Sequence, residues 1–147
     1  MISRTGRTKS GFTLMEMLVV LAIISIMLGV GVPFFRTSSQ RAKLKAAVRG
    51  IISLLNYARM TAVGERNQVK ALLEEGCIRI YVRHNDSWQS AGKQYCIPPG
   101  VMVSLNNEIV FYPSGEAEES FCIEIKNDLG KQRQVCVSGL SGKVYTK

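Results

Sequence analysis

Residues 10–35 read SGFTLMEMLVVLAIISIMLGVGVPFF. Only Glu16 is charged between Phe12 and Phe35. As a helix, Phe12 to Val32 would extend about 30 Å, the thickness of a bilayer hydrocarbon core. The residues before it carry Arg4, Arg7 and Lys9 and no acid, so the N-terminus is expected on the cytoplasmic side. A secretory signal peptide is one reading, with Met17 to Leu28 as its apolar region and Gly29-Val30-Gly31 as its cleavage site. A plain membrane anchor is another. Glu16 argues against both. A carboxylate at membrane depth costs on the order of 2.5–3.5 kcal/mol even on the lenient scale, and neither a signal peptide nor an anchor needs one.

The stretch Ser10-Gly11-Phe12-Thr13-Leu14-Met15-Glu16 closely resembles the processing site of type IV pilins and pseudopilins, GFTLxE. The resemblance implies that residues 1–11 are a leader removed by prepilin peptidase between Gly11 and Phe12. It implies methylation of the new Phe12 amine, and a role in subunit assembly for Glu16. The electrostatics agree with this role. The freed Phe12 amine and the Glu16 carboxylate of a neighbouring subunit are natural counter-ions, and two charges costly in lipid become tolerable once paired. Gly29, Gly31 and Pro33 are expected to kink the helix end, since proline removes a backbone donor and crowds the preceding turn.

Outward from this segment the period stays helical. In 36–66, Leu44, Val48, Ile51, Leu55, Ala58 and Ala62 step by three and four, giving one apolar stripe. Arg41, Lys43, Lys45 and Arg49 lie largely off it, and Gly64 suits a C-terminal stop. Residues 36–70 carry eight bases against the single acid Glu65, whereas 71–147 carry eight bases and nine acids. The net charge of +8 therefore belongs to the N-terminal half. A solvated helix face accounts for it, and so does a surface for anionic lipid or nucleic acid.

Beyond residue 67 the pattern alternates. Strands are expected at 68–73, 77–83, 88–97, 108–112, 121–125 and 134–137, with turns at Glu74-Glu75-Gly76, Asn85-Asp86-Ser87 and Asn127–Gly130. An antiparallel sheet with one face on the helix follows, an α+β fold. The boundaries are then a leader at 1–11, a membrane segment at 12–35, an amphipathic helix at 36–66 and a periplasmic sheet domain at 67–147. Cys122 and Cys136 sit at similar distances from the centre of the last hairpin, on its polar face. Cys77 and Cys96 flank the Asn85 turn. Pairs Cys77–Cys96 and Cys122–Cys136 are expected, in a compartment that permits them.

Further pieces, Leu55–Val63 with Asn67–Val69, Ile109–Gly115, and Val137-Ser138 with Gly142–Val144, are similar to the H-type minor pseudopilins, the GspH/FimT group. They supply an Ala58-Arg59 pair, a Pro113-Ser114-Gly115 turn and a final Gly142-Lys143-Val144 element. This resemblance implies a minor pseudopilin of a type II secretion system, with other pseudopilins, the inner membrane and secreted proteins as partners. The alternative is a minor type IV pilin engaged in pilus assembly or DNA uptake. DNA-binding relatives carry a GRxR-like element, for which this chain offers only Lys143 and Lys147. Lysine lacks the guanidinium fork for bidentate phosphate contacts, so nucleic acid is the weaker partner. No nucleotide loop, GxSxG or HExxH is present. The chain is expected to be no enzyme and to need no cofactor or metal.

Overall fold

The computed structural model describes residues 12–105 and 108–147; the side chains of 30–36 lie outside the described set. Among the described residues one helix, α1 (Leu14–Glu65), is followed by eight strands. They are β1 (Val69–Glu74), β2 (Cys77–His84), β3 (Ser87–Cys96), β4 (Val101–Ser104), β5 (Ile109–Phe111), β6 (Phe121–Asn127), β7 (Gln132–Val137) and β8 (Val144–Thr146). The chain divides into two compact units, Met1–Thr37 and Ser38–Lys147.

The second unit holds two four-stranded antiparallel sheets where the sequence pattern led us to expect one. The first runs β3-β2-β1-β5 and the second β4-β6-β7-β8. Their strands are interleaved in the chain. After β3 the chain leaves the first sheet for β4, returns to add β5 beside β1, then leaves again for β6 to β8. Alternation within a strand reports which face is buried, but not which sheet the strand joins. That is why the split was invisible. β4 and β8, four and three residues long, also escaped the reading.

The core is a single apolar cluster. Leu44, Ala47, Ile51, Leu54, Leu55, Ala58 and Ala62 of α1 meet Val69, Ala71, Ile78, Ile80, Ile109 and Phe111 of the first sheet. The same helix face meets Val101, Ile123, Ile125, Val135 and Val137 of the second. The expected stripe is thus the buried one, with Val48 only half-buried. The two-residue turns Glu75-Gly76 and Asn85-Asp86 both take positive φ, the backbone that matches strand twist in tight hairpins. The helix stop differs from expectation. Arg66, at φ 54°, turns the chain in the left-handed region, and Gly64 stays inside the helix.

Several contacts tie the sheets to the helix. The side chain of Asn127, only 2% exposed, accepts from the amides of Leu129 (3.2 Å) and Lys131 (2.9 Å) through Oδ1. Its Nδ2 donates to the carbonyl of Gln40 at 3.3 Å. One buried amide therefore closes the β6–β7 turn and pins it to the start of this unit's helix. Lys43 Nζ donates to the Pro99 carbonyl at 3.3 Å, holding the β3–β4 crossover at the same end. At Gly50 the missing side chain leaves room for the ring of Tyr95, which any Cβ would strike.

Candidate assembly segment and its surroundings

The helix begins at a built cap. The Glu16 amide lies 3.2 Å from Thr13 Oγ1 and 3.1 Å from the Thr13 carbonyl. Thr13-x-x-Glu16 is the spacing of a capping box, in which the hydroxyl satisfies an amide that the first helical turn leaves free. The signal was present in the sequence and was read only as part of a processing motif. Glu16 thus sits in the first turn, where the positive end of the helix dipole favours a carboxylate.

From Phe12 to Gly29 every side chain is exposed. Phe12 stands 78% in the open, and Leu14, Met15, Leu18, Leu21, Ile24 and Leu28 follow on all sides of the helix. A helix that is apolar all round does not pack one stripe on a core; it needs an apolar surrounding or a partner on every face. The one hydroxyl in its interior, Ser25, is satisfied within the helix by the Leu21 carbonyl at 2.8 Å. Gly11, the predicted cleavage residue, lies outside the described residues, and Phe12 lies at their edge. The α1 assignment runs without a break through Gly29, Gly31 and Pro33. The side chains of Gly31 and Pro33 fall outside the described set. Among the described residues no helix is long and apolar enough to cross a membrane; the expected segment at 12–35 includes residues 30–35, whose side chains are not described.

All four cysteines are bonded, as Cys77–Cys96 and Cys122–Cys136. Each pair occupies directly opposed positions of adjacent strands. The environment of the second pair differs from the polar face expected of it. Cys122 is exposed but Cys136 is 1% exposed, because β8 runs beside β7 and sets Tyr145 opposite Cys136.

The scattered pieces of family resemblance converge in space. Arg59 Nε donates to the Gly115 carbonyl at 3.0 Å. Gly115 and Gly142 both have positive φ, at 84° and 58°. A Cβ on Gly142 would collide with the Gly115 carbonyl and approach Arg59 Nε at 3.1 Å. The Ala58-Arg59 pair, the Pro113–Gly115 turn and the Gly142 element are thus parts of one knot that locks the C-terminal turn to the helix. Three separated motifs give no hint of mutual contact in a linear reading.

Bases on the sheets are largely neutralised in place. Lys70, Arg79, Arg83 and Lys126 meet Glu108, Glu74, Asp86 and Glu124 at 2.8–3.3 Å. The Glu74 carboxylate also accepts from the Tyr81 hydroxyl at 2.7 Å. That bond and then the Arg79 guanidinium hold the pKa of Glu74 below the ordinary 4.5; the same bond to the Glu74 carboxylate, and then burial, raise that of Tyr81 above 10.0. Lys143 and Lys147 are exposed on either side of β8. A cleft of about 620 Å³ between the sheets is lined by Glu108, Glu118, Glu119 and Glu124. Among the described residues no cluster of His, Cys, Asp and Glu could hold a metal ion.

Residues 6–32 match the model of the prokaryotic N-terminal methylation motif. No curated protein matches the chain in sequence. Among solved structures, it is similar to the type IV minor pilin FimU of Pseudomonas aeruginosa, with a TM-score of 0.63 and 17% identity over 74% of this chain and 91% of that one. It is also similar to the minor pseudopilin EpsH of the type 2 secretion system of Vibrio cholerae, with a TM-score of 0.60 and 14% identity over 71% and 96%. The chain carries the prokaryotic N-terminal methylation motif and has a pilin-like fold.

Proposed function

We propose that the protein is a minor pseudopilin of a type II secretion system, a subunit of the periplasmic pseudopilus that drives export of folded proteins. The observation that carries this reading is the run of exposed apolar side chains from Phe12 to Leu28, with Glu16 as its one charge, inside the matched N-terminal methylation motif. Prepilin peptidase cuts after Gly11, the apolar segment of 12–35 anchors the subunit once in the inner membrane, and the second unit lies in the periplasm. On assembly, neighbouring subunits cover the apolar helix, and Glu16 pairs with the methylated amine of a Phe12. The subunit performs no chemistry; force comes from other components.

The test is export in a deletion strain. Secreted proteins should fall in the culture supernatant and return with the wild-type gene but not with Glu16→Ala, whose intact mass should still begin at Phe12. Secretion untouched by the deletion overturns the reading.

The similarity to FimU favours a second reading, a minor subunit of a type IV pilus. Surface pili and DNA uptake would then fail in the same deletion while secretion continued. Lys143 and Lys147 are the bases to test for DNA contact, through a mobility shift with a steep salt slope.

A further inference from the structure

We propose that the end of the second unit at Gln40 is a docking surface for anionic lipid headgroups. The inference rests on the reading that residues 12–35 lie in a bilayer.

Arg41 and Lys45 are exposed one helical turn apart on α1, and among the described residues neither meets a carboxylate. Lys43 between them is half-buried and reaches only the Pro99 carbonyl. The β6–β7 turn is fastened to this same end by the Asn127–Gln40 bond. The turn carries Lys131, exposed, and Leu129 at its tip, 48% exposed. Asp128, the acid of this turn, is engaged by Gln40 Nε2 at 3.5 Å. Two elements distant in sequence thus place bases and an apolar tip on one end of the unit. That end is where the chain joins the apolar segment.

Charge complementarity selects the occupant. Phosphates of an anionic bilayer suit unpaired Lys and Arg, and an exposed leucine enters the interfacial layer readily. Attraction fades within a Debye length of about 10 Å. Arg41, Lys45 and Lys131 should therefore feel the surface, while Arg49, about 13 Å up the helix from Gln40, should feel it little. The Gly142 turn packs against Arg59, about 28 Å along the helix from Gln40. Lys143 is therefore an internal control at the far end.

The experiment uses the full processed chain in vesicles of phosphatidylcholine alone and in vesicles mixed with phosphatidylglycerol. Amine acetylation of each lysine is read by mass spectrometry. Labelling of Lys45 and Lys131 should fall several-fold in the anionic vesicles, with Lys143 unchanged. Offered both vesicle types, the chain should prefer the anionic ones by about fivefold per base in contact. The variant Arg41→Glu, Lys45→Glu, Lys131→Glu should lose that preference, and its unfolding midpoint and disulfide mass show whether it is folded.

Equal labelling of Lys45 in both vesicles overturns the proposal. Protection that follows protein density in place of lipid charge also overturns it, making a second copy the occupant. Protection reproduced by inorganic phosphate with neutral vesicles overturns it as well, leaving a simple anion site. If carbonate extracts the chain from every vesicle, the anchor reading itself fails, which is distinguishable from all of these.

Discussion

The two halves of α1 contain the same kinds of apolar residue and use them in opposite ways. Between Leu44 and Ala62 one stripe is buried against two sheets and the opposite face is polar and basic. Between Phe12 and Leu28 nothing is buried and the apolar residues surround the axis. The first arrangement is a helix whose partner is its own chain. The second is a helix whose partner is elsewhere. Substitutions in one half should therefore change stability, and substitutions in the other should change only insertion and assembly.

Phe111→Ala breaks the comparison most sharply. Among the described residues this ring is the largest fully buried side chain, and its loss should cost about 3–5 kcal/mol in chemical denaturation. Ile23→Ala removes an equally apolar group from the exposed half. It should leave the same unfolding transition within about 0.5 kcal/mol. A large effect at Ile23 would mean the N-terminal helix packs on the sheets.

Replacing Cys122 and Cys136 together by serine should cost roughly 2–4 kcal/mol, by releasing a constraint on the unfolded chain. Cys136 is buried, so its hydroxyl replacement adds a desolvation penalty that the Cys77–Cys96 pair, at a more exposed edge, avoids. The denaturation midpoints of the two double variants should fall in that order.

Thr13→Ala removes the helix cap and should loosen the first turn by about 1 kcal/mol. Hydrogen exchange at the Glu16 amide should accelerate by about fivefold, with the transition of the second unit unmoved.

The smallest effect concerns acid. The pKa of Glu74 is lowered by Tyr81 and then Arg79. Its contribution is present above the ordinary value of 4.5 and is lost as pH falls through the lowered one. Stability should decline below about pH 4.5, and Glu74→Gln should flatten part of that decline. Both are read from thermal midpoints across pH. The N-terminal half has no comparable acid–base partner pair among its described residues, so its helicity should not follow the same curve.

Much of this could be read in one dimension because the signals are local. The Gly11–Glu16 motif, the helical stripe and the two tight turns each lie within a few residues. The strands from Val69 to His84 alternate cleanly because one face is buried and the other wet. The larger features that went unread are non-local. Which sheet receives β5 depends on β1, and burial of Cys136 depends on β8 lying beside it. The Arg59–Gly115–Gly142 knot joins residues that only the finished fold brings together. Asn127 belongs to the same class. As a turn residue it was legible, but its second bond, to Gln40, requires the helix to be in place.

The interleaving of the sheets bears on how the chain reaches its fold. A polypeptide emerges from synthesis N-terminus first, so β1, β2 and β3 are available before β5 exists. Until Ile109–Phe111 arrives, β1 presents a bare row of amides and carbonyls bordered by Val69 and Ala71. An open edge of that kind pairs with whatever strand is nearest, including one from another nascent copy. Chains truncated between Ser104 and Ile109 should therefore aggregate through β1, whereas chains extended past Phe111 should not. The short strand β5, three residues long, acts in effect as the stopper that makes the first sheet safe.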